Sequence, residues 1–350
     1  MTSTPRALIL FTAAFGLTLC FAASCDHEAQ CPAFATTACV DGDGGDGGGG
    51  EGGGAGDGGA GGDGGAGGDG GAGGDGGAGG AGPCANGAKD GGETDVDCGG
   101  SDCKGCGPNK VCGVPADCVS NLCDDALCRC PSTMIAAPTQ QGATYCIDAF
   151  EVTYEEYQTF WIAGPSPTDE PPCAWNQNVT PAAGWPPPVD RLDHPVVHVD
   201  WCDARAYCAW AGKRLCGSVE GGASAFLQHS TTKSAWYNAC SAQGTIAYPY
   251  GTGYEPTPCN GSEALNAASV GALAPTACLG GAPNLYHMSG NVAEWEDSCD
   301  TGGGAASDDE ILCRTRGGSY VSAEVALRCD ADASAARSAT AADLGFRCCL

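Results

Sequence analysis

The sequence predicts a disulfide-stapled domain of mixed helix and strand, held behind a glycine-rich tether and a small cysteine-rich unit. Three observations predict it. Twenty-six cysteines in 350 residues imply an oxidising compartment, because cytosolic thiols are kept reduced. Of the 58 glycines, 28 crowd residues 41–82, a composition that cannot bury a core. Beyond residue 131 aromatic and aliphatic residues return at ordinary spacing, and about 200 residues suffice to enclose one.

The first 24 residues read as a secretory signal: one cation, Arg6, precedes an apolar run over 7–23 that is too short for a convincing membrane span. Ala22-Ala23-Ser24 ahead of Cys25 resembles a bacterial lipobox, which would make Cys25 an acylated N-terminus; the alternative is ordinary cleavage with Cys25 in a disulfide. Parity favours lipidation, since losing Cys20 and acylating Cys25 leaves 24 cysteines. A short segment, 25–40, carries Cys31 and Cys39.

Residues 41–83 form the linker. Its recurring Gly-Gly-Asp-Gly-Gly-Ala has no side chain larger than alanine to fill a calcium-binding β-roll, so it reads as a flexible tether. Residues 84–131 hold nine cysteines and almost no aliphatic core. Cys98, Cys103 and Cys106 have zinc-like spacing, and Cys103-Lys-Gly-Cys106 has redox-motif spacing. In an exported chain a disulfide framework is the stronger reading, and no βαβ pattern supports a thiol oxidoreductase.

In the last 219 residues, 132–350, alternation of Ile147, Ala149 and Glu151 suits a strand. Thr153 then caps a helix, with Glu156 at capping-box spacing and Tyr157 and Phe160 on one face. Residues 194–201 read as a second strand. A helix follows from Asp203, with Ala204, Tyr207, Cys208 and Trp210 inward, stopping at Gly212. His194 and His198 lie in a β-branched, proline-containing run, so a shared zinc site is disfavoured. The glycines and Cys216 after Lys213 predict a pinned loop, with the next helix around 232–239.

Charge excludes some partners. Fifteen Lys and Arg against 42 Asp and Glu give a net charge of −27. Nucleic-acid binding needs cations to neutralise phosphates, and an anionic lipid surface is disfavoured for the same reason. Membrane contact is expected only through a lipid on Cys25.

Four stretches in order carry a family resemblance. They are Tyr145 to Phe160; His194-Pro-Val-Val-His-Val-Asp-Trp201 with the helix after it; Leu285-Tyr-His-Met-Ser-Gly-Asn-Val-Ala-Glu-Trp295; and Arg314-Thr-Arg-Gly-Gly-Ser-Tyr320 with Leu344-Gly-Phe-Arg-Cys348. Together they resemble the formylglycine-generating enzyme, or sulfatase-modifying factor, family. The resemblance implies an irregular α+β fold like that of C-type lectins. It implies disulfides Cys208–Cys348 and Cys240–Cys329. It also implies a calcium site from the carbonyls of Gly290 and Val292 and the carboxylate of Glu294, with His287 where relatives have Asn or Asp.

The family's oxidases hold copper(I) with two cysteines between Gly-Gly-Ser and the following Arg-Cys. Here that interval contains no cysteine: Ser322 stands at the first position and Glu324 at the second. A soft cuprous ion requires sulfur, so copper is not expected. A related branch uses histidine-held iron; the five histidines here are scattered. The expectation is a non-catalytic binding or structural module displayed outside the cell, with an extracellular protein or glycan as ligand. The alternatives are a divergent oxidase or other metal-dependent enzyme of the superfamily, or a coat component without specific ligand.

Overall fold

The computed structural model describes residues 82–166, 171–263, 278–305 and 307–350. The signal, Cys25, the segment with Cys31 and Cys39, and nearly all of the linker lie outside the described residues. No helix among the described residues is long and apolar enough to cross a membrane.

Residues 84–130 contain one two-stranded hairpin, β1 (Cys123–Asp124) and β2 (Leu127–Cys128). Four disulfides stand in for a core: Cys84–Cys103, Cys98–Cys106, Cys112–Cys123 and Cys118–Cys128. Cys103 and Cys106 therefore bond different partners and form neither a redox pair nor zinc thiolates. The ninth cysteine, Cys130, bonds Cys146 in β4 (Thr144–Asp148) and so ties this segment covalently to the larger domain.

Two four-stranded sheets build that domain. One runs β3 (Met134–Pro138), β4, β10 (Cys348–Cys349), β5 (Arg214–Leu215). The other runs β8 (Ala333–Ala336), β7 (Leu312–Arg316), β6 (Ala293–Cys299), β9 (Leu344–Phe346), with β9 parallel to β6. β9 and β10 are one residue apart in sequence, so the chain end stitches the two sheets together.

Helix α1 (Tyr154–Ile162) starts where expected. The Thr153 hydroxyl accepts from the Glu156 amide at 3.2 Å, and the Glu156 carboxylate accepts from the Thr153 amide at 2.9 Å. Helix α2 (Trp201–Trp210) begins two residues earlier than the sequence reading placed it. Asp200 is the cap, accepting from the Asp203 amide at 2.9 Å. Residues 194–200 form no strand; Pro195 makes one isolated bridge to Thr153, and His198 has φ +61°, which breaks extended pairing. His194 contacts Asp193 at 3.0 Å. Trp210, expected inward, is 45% exposed. Helix α3 (Ala235–Cys240) is capped by Ser234, near but not at the expected 232–239.

Between α1, α2 and β9 lies an aromatic core. Tyr157 stacks on Tyr207, and Phe160 and Phe346 meet Tyr207 edge-on. A second core gathers Tyr145, Ile147, Trp236, Leu285 and Met288 under the first sheet. Three buried tryptophans each find an acceptor: Trp201 on the Glu296 carbonyl, Trp295 on the Val199 carbonyl, Trp236 on the Glu294 carboxylate. A buried indole N–H left unbonded would cost about 1–3 kcal/mol, so these contacts fix the tryptophan orientations.

Candidate functional site

The signature turn lies between the two cores. His287, Gly290 and Asn291 all have positive φ, at +59°, +73° and +62°. Only glycine fits at 290, because a Cβ there would collide with the Asn260 carbonyl. The turn delivers Glu294, at the start of β6, into the interior, where it is completely buried.

Arg347 meets it there from the segment joining β9 to β10. Its Nε donates to Glu294 Oε2 at 2.6 Å and its Nη2 to Glu294 Oε1 at 2.7 Å, a bidentate pair. The remaining donors reach the carbonyls of Asp148 at 3.1 Å and Tyr286 at 3.0 Å. Glu151 completes the group: Oε1 accepts from Asn291 Nδ2 at 3.0 Å, while Oε2 has no hydrogen-bond partner and lies 3.7 Å from Arg347. Burial pushes the Glu151 carboxyl up to about 7, against the pull of Arg347. Burial also raises Glu294, and Arg347 only partly offsets it. Two buried carboxyl groups thus share one guanidinium, and Glu151 is the one whose proton burial retains.

Gly290, Val292 and Glu294 lie on this turn–strand segment. Gly290 and Val292 are both buried. Carbonyl and carboxylate oxygens are the donor type a hard cation takes, but both Glu294 oxygens are already engaged, by Arg347 and Trp236. The ion's contribution there would be structural, fixing the turn.

The stretch between Ser319 and Cys329 has a different character. Ser322 Oγ accepts from the Ser319 amide at 2.9 Å, and Ser319 Oγ donates to Asp343 Oδ2 at 2.7 Å. Glu324 opens a short 3₁₀ turn and is exposed, while Leu327 is buried. Between Ser319 and Cys329 the side chains offer hydroxyls and a solvated carboxylate, and the cysteines described nearby are disulfide-bonded. Cys208 bonds Cys348 across 140 residues and Cys240 bonds Cys329 across 89. Indeed all 22 cysteines from Cys84 to Cys349 are consumed in eleven disulfides. The residues present do not fit copper(I).

Sequence reasoning missed Arg347 and Glu151 as a buried ion group. The one signal was a lone arginine inside the apolar run Leu344-Gly-Phe-Arg-Cys-Cys349, where a charge is tolerated only if paired. It also missed a second buried group, in which Arg316 Nε donates to Glu296 at 2.7 Å and His229 lies between Arg314 and Arg316. Burial, then Arg316 and Arg314, push the His229 imidazole down to about 4.

Comparison with known proteins agrees with this framework. Residues 128–350 match the sulfatase-modifying factor enzyme 1-like domain family. The formylglycine-generating enzyme of Mus musculus is 31% identical over 173 residues, covering 45% of this chain and 44% of that protein. The inactive C-alpha-formylglycine-generating enzyme 2 of Bos taurus is 30% identical over 194 residues, covering 50% of this chain and 55% of that protein. The chain thus spans about half the length of these relatives. The structure of PvdO from Pseudomonas aeruginosa aligns over 63% of this chain and 92% of its own, with 18% identity and a TM-score of 0.38. With more than half of its length matched, the chain belongs to the sulfatase-modifying factor enzyme 1-like domain family.

Proposed function

We propose that this chain is an exported, lipid-anchored surface protein whose family domain works as a non-catalytic binding or structural module. One observation carries the reading: the 22 cysteines of the described residues are all disulfide-bonded, and no cysteine lies between Ser319 and Cys329, the interval in which the resemblance would place the oxidases' thiolates at Ser322 and Glu324. Copper(I) chemistry needs two soft sulfur ligands, and neither a hydroxyl nor a carboxylate substitutes for them. A relative whose name marks it as inactive supports a reading in which the fold occurs without turnover. Export is supported by the signal-like residues 1–24 and by the disulfide density, anchoring by Cys25 after Ala22-Ala23-Ser24. The glycine-rich residues 41–83 would then serve as a tether presenting the head to an extracellular protein or glycan. Calcium at Gly290, Val292 and Glu294 would hold the signature turn in place.

The test is turnover. The exported chain, with copper, oxygen and a reducing thiol, is incubated with a Cys-x-Pro-x-Arg peptide, with a formylglycine-generating enzyme as positive control. The expected result is no aldehyde product above background. Formation of formylglycine at a rate that scales with the protein overturns the reading.

A further inference from the structure

The cysteine-rich segment does more than precede the family domain. A cavity of about 560 Å³ opens where residues 104–110 and Val119 face β4, β5 and the loop at 219–221. Its walls are covalently joined by Cys130–Cys146. They also touch directly, since a Cβ on Gly107 would stand 3.0 Å from the Thr144 carbonyl.

The lining is charged against the trend of the chain. Of only 15 Lys and Arg in a protein of net charge −27, four line this one cavity: Lys104, Lys110, Lys213 and Arg214. Lys213 is neutralised by Asp148 at 2.6 Å, and Lys110 contacts Asp95 at 3.5 Å. Lys104 is exposed and makes no ion pair with a described residue. Arg214 has a buried Nη1 with no hydrogen-bond partner, although Asp297, off the lining, offsets its charge. The acidic side chain on the lining is Glu220, which contacts Lys233 at 3.3 Å, and the Leu350 carboxyl forms no ion pair with any described cation. Pro108, Val119 and Val219 add an apolar wall.

From this juxtaposition we propose that the cleft between the cysteine-rich segment and the family domain binds a small organic anion, carrying a carboxylate, sulfate or phosphate on an apolar body. Its volume falls within the range of about 300–1,000 Å³ typical of small-molecule sites. Arginine and lysine supply charge-assisted donors to such an oxyanion, with Lys104 the cation on the lining that has no acidic partner among the described residues. No residue of the signature turn lines the site, and the proposal does not depend on whether the family domain is catalytic.

The experiment uses the full exported chain with its disulfides intact. 8-Anilinonaphthalene-1-sulfonate is titrated by fluorescence and calorimetry, beside its uncharged analogue N-phenyl-1-naphthylamine. The expected result is saturable one-to-one binding of the sulfonate alone, weakened by salt and displaced by sulfate, phosphate or citrate. Lys104→Glu combined with Lys110→Gln should lower affinity at least tenfold while leaving Tm unchanged; both side chains are solvent-exposed at their tips. Absence of saturable binding, equal binding of the uncharged analogue, or undiminished affinity in the folded double variant overturns the proposal.

Discussion

Two adjacent staples make a sharp energetic prediction. Cys208–Cys348 and Cys216–Cys349 run side by side, spanning 140 and 133 residues. While one is intact, the other closes only a small ring, made of the eight-residue step from Cys208 to Cys216 and the single step from Cys348 to Cys349. In the chain-entropy account a ring of about nine residues contributes about 2.6 kcal/mol. Removing either disulfide alone by paired Cys→Ala substitution should therefore cost about 2.6 kcal/mol, well below what its sequence span suggests. With both gone, the last tie released is a long loop, shortened by Cys240–Cys329 to about 44 residues and contributing about 4 kcal/mol. The quadruple variant should lose about 6.5 kcal/mol, roughly 1.4 kcal/mol more than the two pairs summed. Urea unfolding of the three variants and the parent, with m-values compared, measures this coupling. Strictly additive losses, or a single-pair loss of about 5 kcal/mol, would refute the reasoning.

Glu294→Gln leaves the Arg347 guanidinium buried without its bidentate partner and is expected to cost about 3–5 kcal/mol; a change within experimental error in the same urea assay sinks that account. Glu151, pushed up to about 7, keeps its proton in the folded chain where the unfolded chain, near 4.5, has lost it. Its share of stability therefore falls as pH rises from about 4.5 to 7, and Glu151→Gln should flatten that decline in a Tm-against-pH series. His229, pushed down to about 4, has the opposite sign. The unfolded chain binds the extra proton between about 4 and 6.5, so stability rises with pH across that window, and His229→Gln should flatten the rise. The proposed calcium at Gly290, Val292 and Glu294 should raise Tm in a concentration-dependent way that chelation reverses and that Glu294→Gln abolishes; a Tm indifferent to calcium overturns that site.

How far the fold could be read in advance depended on whether the signal was local. The capping box at Thr153 and Glu156 was legible because it is a four-residue pattern whose partners are neighbours in sequence. The start of α2 was missed although Asp200 and Asp203 form a capping box of the same spacing, because the sequence reading makes Asp203 the first helical residue and not the N3 partner of Asp200. Residues 194–200 have strand composition yet no strand partner, since pairing is decided by tertiary neighbours and His198 adopts positive φ. The buried ion group illustrates the same limit at the site. Glu151, Glu294 and Arg347 are separated by up to 196 residues in sequence, and nothing local announces that they meet. The nine cysteines of 84–130 posed a parity problem that only the fold resolves, by sending Cys130 to Cys146.

The most direct test of the central claim is a free-thiol count on the exported protein, made before and after reduction and followed by copper(I) titration of the unreduced chain. A chain whose cysteines serve as staples should show at most one free thiol and no tight copper(I) binding. Two free thiols that bind copper(I) tightly would contradict the account and reopen the oxidase.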